Sequence, residues 1–360
     1  MAPAPVRFAV VGLGDIAQRA VLPAFAHARG KATLAALVSG EAKKRRVLGR
    51  RFKGTITCGY DDYDELIGSG AVDAVYLTLP NQMHKDFAVR AIAAGLHVLC
   101  EKPMATTVAD ARAMTRAAQR SGVQFMVAYR LHFDPATLRA IDLARDRRAG
   151  ELRIFASVFS SPVERGDIRL EKVGRGGLFD LGIYCVNAAR MVFRSEPTEV
   201  VAMHAGLGLG RFREVPEMTA ALLRYPGERI AMFVCSLNAH RGSSWRAVAM
   251  KRQVRMEPAY SYHEPLVVQL RSDTVSRTNR YAIHDQFAAE LDHFVARIRS
   301  GRKTEPSPRE GEADVMILDA IDRSARTGRR VRLRQVPRDA HPKRRDAKAH
   351  PAVGPVRIVG

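Results

Sequence analysis

The run Ala94-Gly95-Leu96-His97-Val98-Leu99-Cys100-Glu101-Lys102-Pro103 closes a short apolar segment with a charged Lys-Pro pair. Its apolar core, His97–Cys100, bounded by Gly95 and Pro103, reads as an interior strand of a parallel sheet, because a strand covered by helices on both faces shows no polar alternation. Open sheets of this kind bind ligands outside the carboxyl ends of their strands. Lys102 stands at such an end and is therefore a candidate for chemistry.

Outward from this strand, residues 6–127 alternate two patterns. Strands are expected at Phe8–Val11, Thr33–Val38, Ala74–Leu79, His97–Cys100 and Gln124–Val127, and helical periodicity at Ile16–Arg29, Glu41–Phe52, His84–Ala94 and Thr107–Ser121. Such alternation demands a parallel sheet with right-handed crossovers. Thr107, with Asp110 three residues on, is an N-cap, Ser121-Gly122 a helix end, and Pro23 should end or kink the first helix.

Beyond residue 130 the pattern changes. A helix at Pro135–Arg145 precedes alternating runs at Glu151–Ser161, Glu199–His204, Met218–Tyr225, Arg229–Ala239 and Ser244–Met250, and helices at Asp285–Ser300 and Pro308–Thr327 are expected to close this second domain. Turns such as Tyr225-Pro226-Gly227-Glu228 point to antiparallel neighbours, whereas Leu207–Glu214 and Arg252–Arg277 read as pocket or sheet-edge loops. The fold class expected is α/β: an N-terminal Rossmann dinucleotide-binding domain over residues 1–129, then an α+β domain on a large open, mostly antiparallel sheet over 130–334. Residues 335–360 read as a basic disordered tail.

At 360 residues, two domains are the default. No apolar stretch approaches the roughly 18 residues that span a bilayer, and the N-terminus lacks the marks of a signal peptide, so a cytoplasmic protein without a membrane partner is expected. Cys58, Cys100, Cys185 and Cys235 are too scattered for a disulfide framework or a zinc site, and no metal is expected. Of the net charge of +21, residues 328–360 contribute ten Lys/Arg against two Asp/Glu, a net +8. The other +13 follows no aromatic-interleaved stripe, so a solvated Arg-rich surface is expected rather than a specific nucleic-acid site.

Val10-Val11-Gly12-Leu13-Gly14-Asp15-Ile16-Ala17 fits the dinucleotide fingerprint between a first strand and a helix. Gly12 permits the tight turn, Gly14 lets backbone approach the pyrophosphate, and Leu13, Asp15 and Ile16 belong to the same loop. The second strand ends in Val38-Ser39-Gly40-Glu41-Ala42-Lys43-Lys44-Arg45, with no carboxylate at Ser39 and three cations following, which favours NADP over NAD. Glu41, near the ribose, argues mildly the other way. Further on, Asp180 and Tyr184 lie four apart on a helical pattern and so share a face. A carboxylate and a phenol projecting together can bind a polyol and move a proton.

The Glu101-Lys102-Pro103-Met104-Ala105-Thr106 stretch, with Leu79-Pro80-Asn81-Gln82-Met83-His84 before it, resembles the Gfo/Idh/MocA oxidoreductases, especially the glucose-fructose oxidoreductase-like branch, over roughly residues 6–334. The resemblance implies that Lys102 lies beside the nicotinamide and the reacting hydroxyl, that the Lys102–Pro103 bond is cis, and that Ser39 and Lys44 hold a 2′-phosphate. It further implies cofactor-side positions for Leu79, Pro80, Asn81, His84, Glu101, Arg130 and Arg169, with Tyr129 and Arg130 facing the cleft. Lys102, Asp180 and Tyr184 become the catalytic candidates, and these with Tyr129 the substrate-binding ones. The branch's exported namesake covers its cofactor with an N-terminal arm; only five residues precede the first strand here, so exchangeable NADP and a simple dehydrogenase or reductase are expected. A homodimer or homotetramer, paired through the open sheet, is implied too. The activity expected is hydride transfer between NADP and a sugar, polyol or related cyclic hydroxyl or carbonyl compound; the alternatives are a non-catalytic dinucleotide- and sugar-binding regulator and a nucleic-acid-associated protein.

Overall fold

The computed structural model describes residues 3–336, 340–354 and 356–360. Its first sheet is six-stranded, wholly parallel and ordered β3-β2-β1-β4-β5-β6, from β1 (Val6–Val11), β2 (Ala32–Val38), β3 (Ile56–Cys58), β4 (Ala74–Leu77), β5 (His97–Glu101) and β6 (Phe125–Ala128). The order reverses between β1 and β4, which opens a crevice at their carboxyl ends. Every residue of β4 is buried, as its unbroken apolar run requires.

The helices joining these strands are α1 (Leu22–Ala24), α2 (Ala42–Arg51), α3 (Tyr63–Gly68), α4 (His84–Ala93) and α5 (Val108–Ser121). Thr107 caps α5 by accepting the Asp110 N–H at 3.1 Å, and Gly122 ends it in the left-handed conformation. The first helical pattern is short, as Pro23 requires: a wide π-type turn over Ala17–Val21 runs into three-residue α1. Strand β3 and helix α3 were not anticipated, because three residues and six residues are too few for a period to show.

The second sheet has nine strands ordered β14-β13-β12-β11-β7-β10-β9-β8-β15. They are β7 (Leu152–Ser160), β8 (Glu199–Ala205), β9 (Met218–Tyr225), β10 (Arg229–Ser236), β11 (Gly242–Ala249), β12 (Arg252–Met256), β13 (Leu266–Ser272), β14 (Ser276–Tyr281) and β15 (Val331–Arg332). All neighbours pair antiparallel except β7 and β10. Residues 252–277, expected as loops, instead extend the sheet to its edge; their many polar residues fit strands half open to water, not a coil. Helices α6 (Pro135–Ala144), α7 (Ile183–Phe193) and α9 (Pro308–Thr327) accompany this sheet, but α8 (Gln286–Ser300) does not. Phe287, Leu291 and Phe294 pack with Phe8 and Leu99 of the first sheet, so α8 returns to cover the N-terminal domain.

The C-terminal segment also departs from expectation. Part of the stretch read as a disordered tail, 335–360, lies outside the described residues (337–339 and 355), and described residues of the rest are docked: Lys348 N–H donates to Phe133 O at 3.0 Å, Asp285 N–H to His350 O at 3.1 Å, and Val359 pairs with Gln18. Backbone hydrogen bonds supply the order that a low apolar content does not predict. Among the described residues, no helix is long and apolar enough to cross a membrane.

Candidate active site

The loop between β1 and the first helical turn is held close to β4. Gly12 has φ +93°, and a Cβ on it would stand 2.7 Å from Thr78 O, so both turn and proximity require glycine there. A Cβ on Gly14 would meet no protein atom. That bare, open backbone at a helix start fits the pyrophosphate of a dinucleotide. Asp15 projects outward to Arg19 at 2.7 Å, while Leu13 is buried and Ile16 packs on the core behind the loop.

At the end of β2, Ser39 is buried and its Oγ accepts the Glu41 N–H at 3.2 Å. Lys44, expected to hold a phosphate, reaches the Glu41 carboxylate at 2.5 Å instead. Its neighbour Arg45 turns back to Ser39, donating to its carbonyl at 2.5 Å. A Cβ on Gly40 would stand 3.1 Å from the side of the Tyr60 ring, so Tyr60 and Arg45 both lie beside Ser39 at the end of β2.

The three catalytic candidates meet. Lys102 Nζ donates to Asp180 Oδ1 at 3.0 Å and to Asp180 O at 3.2 Å, and lies 4.7 Å from the centre of the Tyr184 ring. The Lys102–Pro103 bond is cis, as the resemblance implied. Asp180 belongs to a π-type stretch, Leu178–Gly182, that runs into α7, where Tyr184 lies. Arg169 faces the same carboxylate at 3.8 Å while bound to Asp167 through two of its nitrogens, at 2.9 and 2.7 Å.

Burial alone would push the Lys102 ammonium down, but the Asp180 carboxylate, with Tyr184 and Glu101, outweighs it and lifts the lysine above its ordinary value. The protein's own residues therefore do not deliver the lowered pKa that a resting general base needs. They hold an ammonium.

Several expected positions are corrected. Tyr129 does not face the cleft: it is buried, stacks on His132 at 5.4 Å and points to Asp314 of α9. Arg130, the next residue, opens the 3₁₀ turn Arg130–His132 that follows β6, and its side chain runs instead to Gln286 and Tyr260. Arg130 is no open cofactor ligand, because it donates to Tyr260 O at 2.7 Å, Tyr184 Oη at 3.3 Å and Gln286. Glu101 turns away from the cleft to Tyr76, 3.1 Å away, whose hydroxyl also meets Glu290 at 2.8 Å.

His84 is fully buried between Leu79 O and Pro103 O, 2.9 and 3.0 Å from its ring nitrogens. Burial pushes it down to about 4, so it is a neutral ring that donates to one of these carbonyls at a time. It ties the Leu79-Pro80 loop to the peptide after Lys102. Asn81 bridges domains, donating to Gly174 O at 3.2 Å. Phe159, Tyr260 and Gln286 around Tyr184 and Arg130 escaped sequence reading, and only the aromatic clustering of Tyr260 and Tyr262 was available as a signal.

A doubly wound sheet with a glycine-rich loop at its switch point, facing a lysine, a carboxylate and a phenol across the cleft, defines a dinucleotide-dependent oxidoreductase. Comparison gives the family: residues 6–129 match the model of the Gfo/Idh/MocA "oxidoreductase family, NAD-binding Rossmann fold" and residues 137–256 that of the family's C-terminal domain, and the chain belongs to this family. The fold is similar to that of an aldose-aldose oxidoreductase from Caulobacter crescentus complexed with glycerol, with TM-score 0.86 and 34% identity over 91% of this chain and 100% of that one. It is also similar to KijD10, a 3-ketoreductase from Actinomadura kijaniata in complex with NADP and TDP-benzene, with TM-score 0.80 and 26% identity over 89% and 98%. In sequence, a D-xylose 1-dehydrogenase [NADP(+)] from Haloarcula marismortui is 27% identical over 91% of this chain and 93% of its own.

Proposed function

We propose that this oxidoreductase transfers a hydride between NADP and a carbohydrate-like alcohol or carbonyl, a sugar, polyol or related cyclic compound. The observation that carries the reading is the convergence of Lys102, Asp180 and Tyr184 at the carboxyl end of β5, across from the open backbone of Gly14. The names of the similar proteins support the substrate class and the cofactor. Gly12–Ile16 would hold the pyrophosphate, and Ser39 and Arg45 the 2′-phosphate, with Lys44 held nearby on Glu41.

The nicotinamide supplies the hydride acceptor or donor and, when oxidised, a positive charge that opposes the Lys102 ammonium. Lys102 does the proton chemistry at the reacting oxygen. Asp180 keeps it an ammonium, the form that donates to a carbonyl oxygen under reduction, and orients a neighbouring substrate hydroxyl. Tyr184, with Arg130 at its hydroxyl, is the second proton-bearing group. Arg169 sets the far side of Asp180.

We further propose that the chain works in the cytoplasm as a homo-oligomer, with residues 1–129 as its cofactor unit and 130–334 as its substrate unit. The second sheet exposes Ile154, Val158, Val201, Met203, Leu222 and Met232 on one face, and a second copy would cover them. Light scattering on the purified chain tests this.

Absorbance of reduced nicotinamide tests the activity, with NADP⁺ or NAD⁺ against aldoses, inositols, sugar acids and cyclic diols, and with NADPH against their carbonyl counterparts. Turnover with NADP⁺ or NADPH is the expected result. Silence throughout, with cofactor bound, overturns it in favour of a regulatory binding protein.

A further inference from the structure

The chain's last residues end beside the dinucleotide loop. Gln18, 2% exposed, uses its side-chain amide in three ways. Its Nε2 donates to Leu13 O at 2.9 Å and to Val359 O at 3.0 Å, and its Oε1 accepts the Val359 N–H at 2.8 Å. The amide thus pairs with Val359 as a neighbouring strand would, and its remaining N–H fastens the middle residue of Gly12-Leu13-Gly14.

That fastening has a directional consequence. A trans peptide is planar, with its C=O and N–H pointing oppositely. Holding the Leu13 carbonyl against the buried Gln18 aims the Gly14 N–H the other way, away from Gln18. Gly14 N–H belongs to the donor set that a helix start offers to a pyrophosphate.

The tail has further anchors. Arg51 Nη1 donates to Arg357 O at 3.0 Å, and the Asp285 and Lys348 backbone N–H groups bond to His350 O and Phe133 O. The His350 ring stands 3.3 Å from Asp292 and stacks on His27. Val353 and Val356 line a cleft of about 350 Å³ together with Arg19, Tyr262 and His284.

We propose that the segment 348–360 is a clasp on the cofactor loop: docked, it acts through Gln18 to aim the Gly14 N–H at the pyrophosphate, so that affinity for the dinucleotide depends on docking of this segment. Gln18 is a positioning residue here. The inference rests on the dinucleotide reading above.

The test is the Kd for NADPH, read by its fluorescence, in the full chain, in Val359→Pro, in Gln18→Ala and in the double variant. Val359→Pro removes one N–H at the chain's end and leaves the body intact; a chain stopped at Ala347 is a second, larger variant. Each single change is expected to weaken NADPH about tenfold, the scale of one or two lost hydrogen bonds. The double variant is expected to bind no worse than Gln18→Ala, and a peptide of residues 348–360 to restore the shortened chain. Unchanged Kd in Val359→Pro, or losses that add in the double variant, overturn the clasp and leave the cofactor reading standing. A full chain that binds no NADPH overturns the cofactor reading itself.

Discussion

Two clusters of buried charge join this molecule's elements, and they are built to opposite rules. Around Arg190 of α7 every direction is filled: Glu196 takes Nε and Nη2 at 2.6 and 2.8 Å, Glu310 takes Nη1 and Nη2 at 3.0 and 3.1 Å, and Asp314 takes Nη1 at 2.6 Å. None of these side chains is more than 9% exposed. Around Lys102 the contacts are fewer, and the partner Asp180 stays 30% exposed. The first cluster has no capacity left for a ligand. The second keeps a proton and a carboxylate oxygen to offer, and that unfilled capacity separates a site from a brace.

The sharpest way to break the comparison is to remove each cation. Lys102→Ala is expected to lower turnover by on the order of 10³-fold, the usual worth of a general acid or base, with the thermal midpoint nearly unchanged. Arg190→Met is expected to cost about 3–5 kcal/mol in urea unfolding, because it leaves buried carboxylates without their partner. Equal loss of stability in both would erase the distinction.

Asp180→Asn sharpens it. Lys102 loses the charge that lifts it, so the pH at which the amine gives up its proton should fall, visible as a shift of the limb of kcat/KM toward lower pH. A profile that stays in place would mean that Asp180 does not set the lysine.

His84 gives the pH test on the folded state. Its pKa is held near 4 against an ordinary value of about 6.5, so unfolded chains take up its proton first as the pH falls. Its stabilising contribution is complete above about 6.5 and is lost between there and 4, an effect on the order of 3 kcal/mol. Urea midpoints of wild type and His84→Gln at pH 7 and 5 should show the variant less sensitive; parallel losses would remove His84 as the cause.

At the cofactor's far end the expected effects are smallest. Arg45→Ala should weaken NADP about tenfold relative to NAD, the worth of one charged hydrogen bond, whereas Lys44→Ala, already paired with Glu41, should change the ratio only a few fold. The reverse ranking of the two variants' kcat/KM ratios would return the phosphate to Lys44.

Much of this was legible along the chain. The strand at His97–Cys100, the loop at Gly12–Ile16 and the pairing of Asp180 with Tyr184 each rest on a local rule: an apolar run, a glycine spacing, a helical repeat. Lys102 could be singled out because a strand's end is itself a position in a parallel sheet. Misreadings fell where direction mattered more than location. Tyr129 and Arg130 are adjacent and were assigned one face, yet the chain leaves β6 at Ala128 and turns into a 3₁₀ helix at Arg130, which sends Tyr129 to His132 and Arg130 to Gln286 and Tyr260. Lys44 and Arg45 are equally cationic, and only the α2 start decides which one meets Glu41.

The alternation of runs and the glycine loop were enough to point to the two-sheet plan, to the cofactor class and to Lys102 as a candidate, because each is a pattern among near neighbours in the chain. Tertiary structure alone decided that α8 returns to the first sheet, that Gln286 and Tyr260 hold Arg130 behind Tyr184, and that Val359 reaches Gln18. Those contacts join residues more than a hundred positions apart, where no local period records the partner and only the packing of whole elements brings it near.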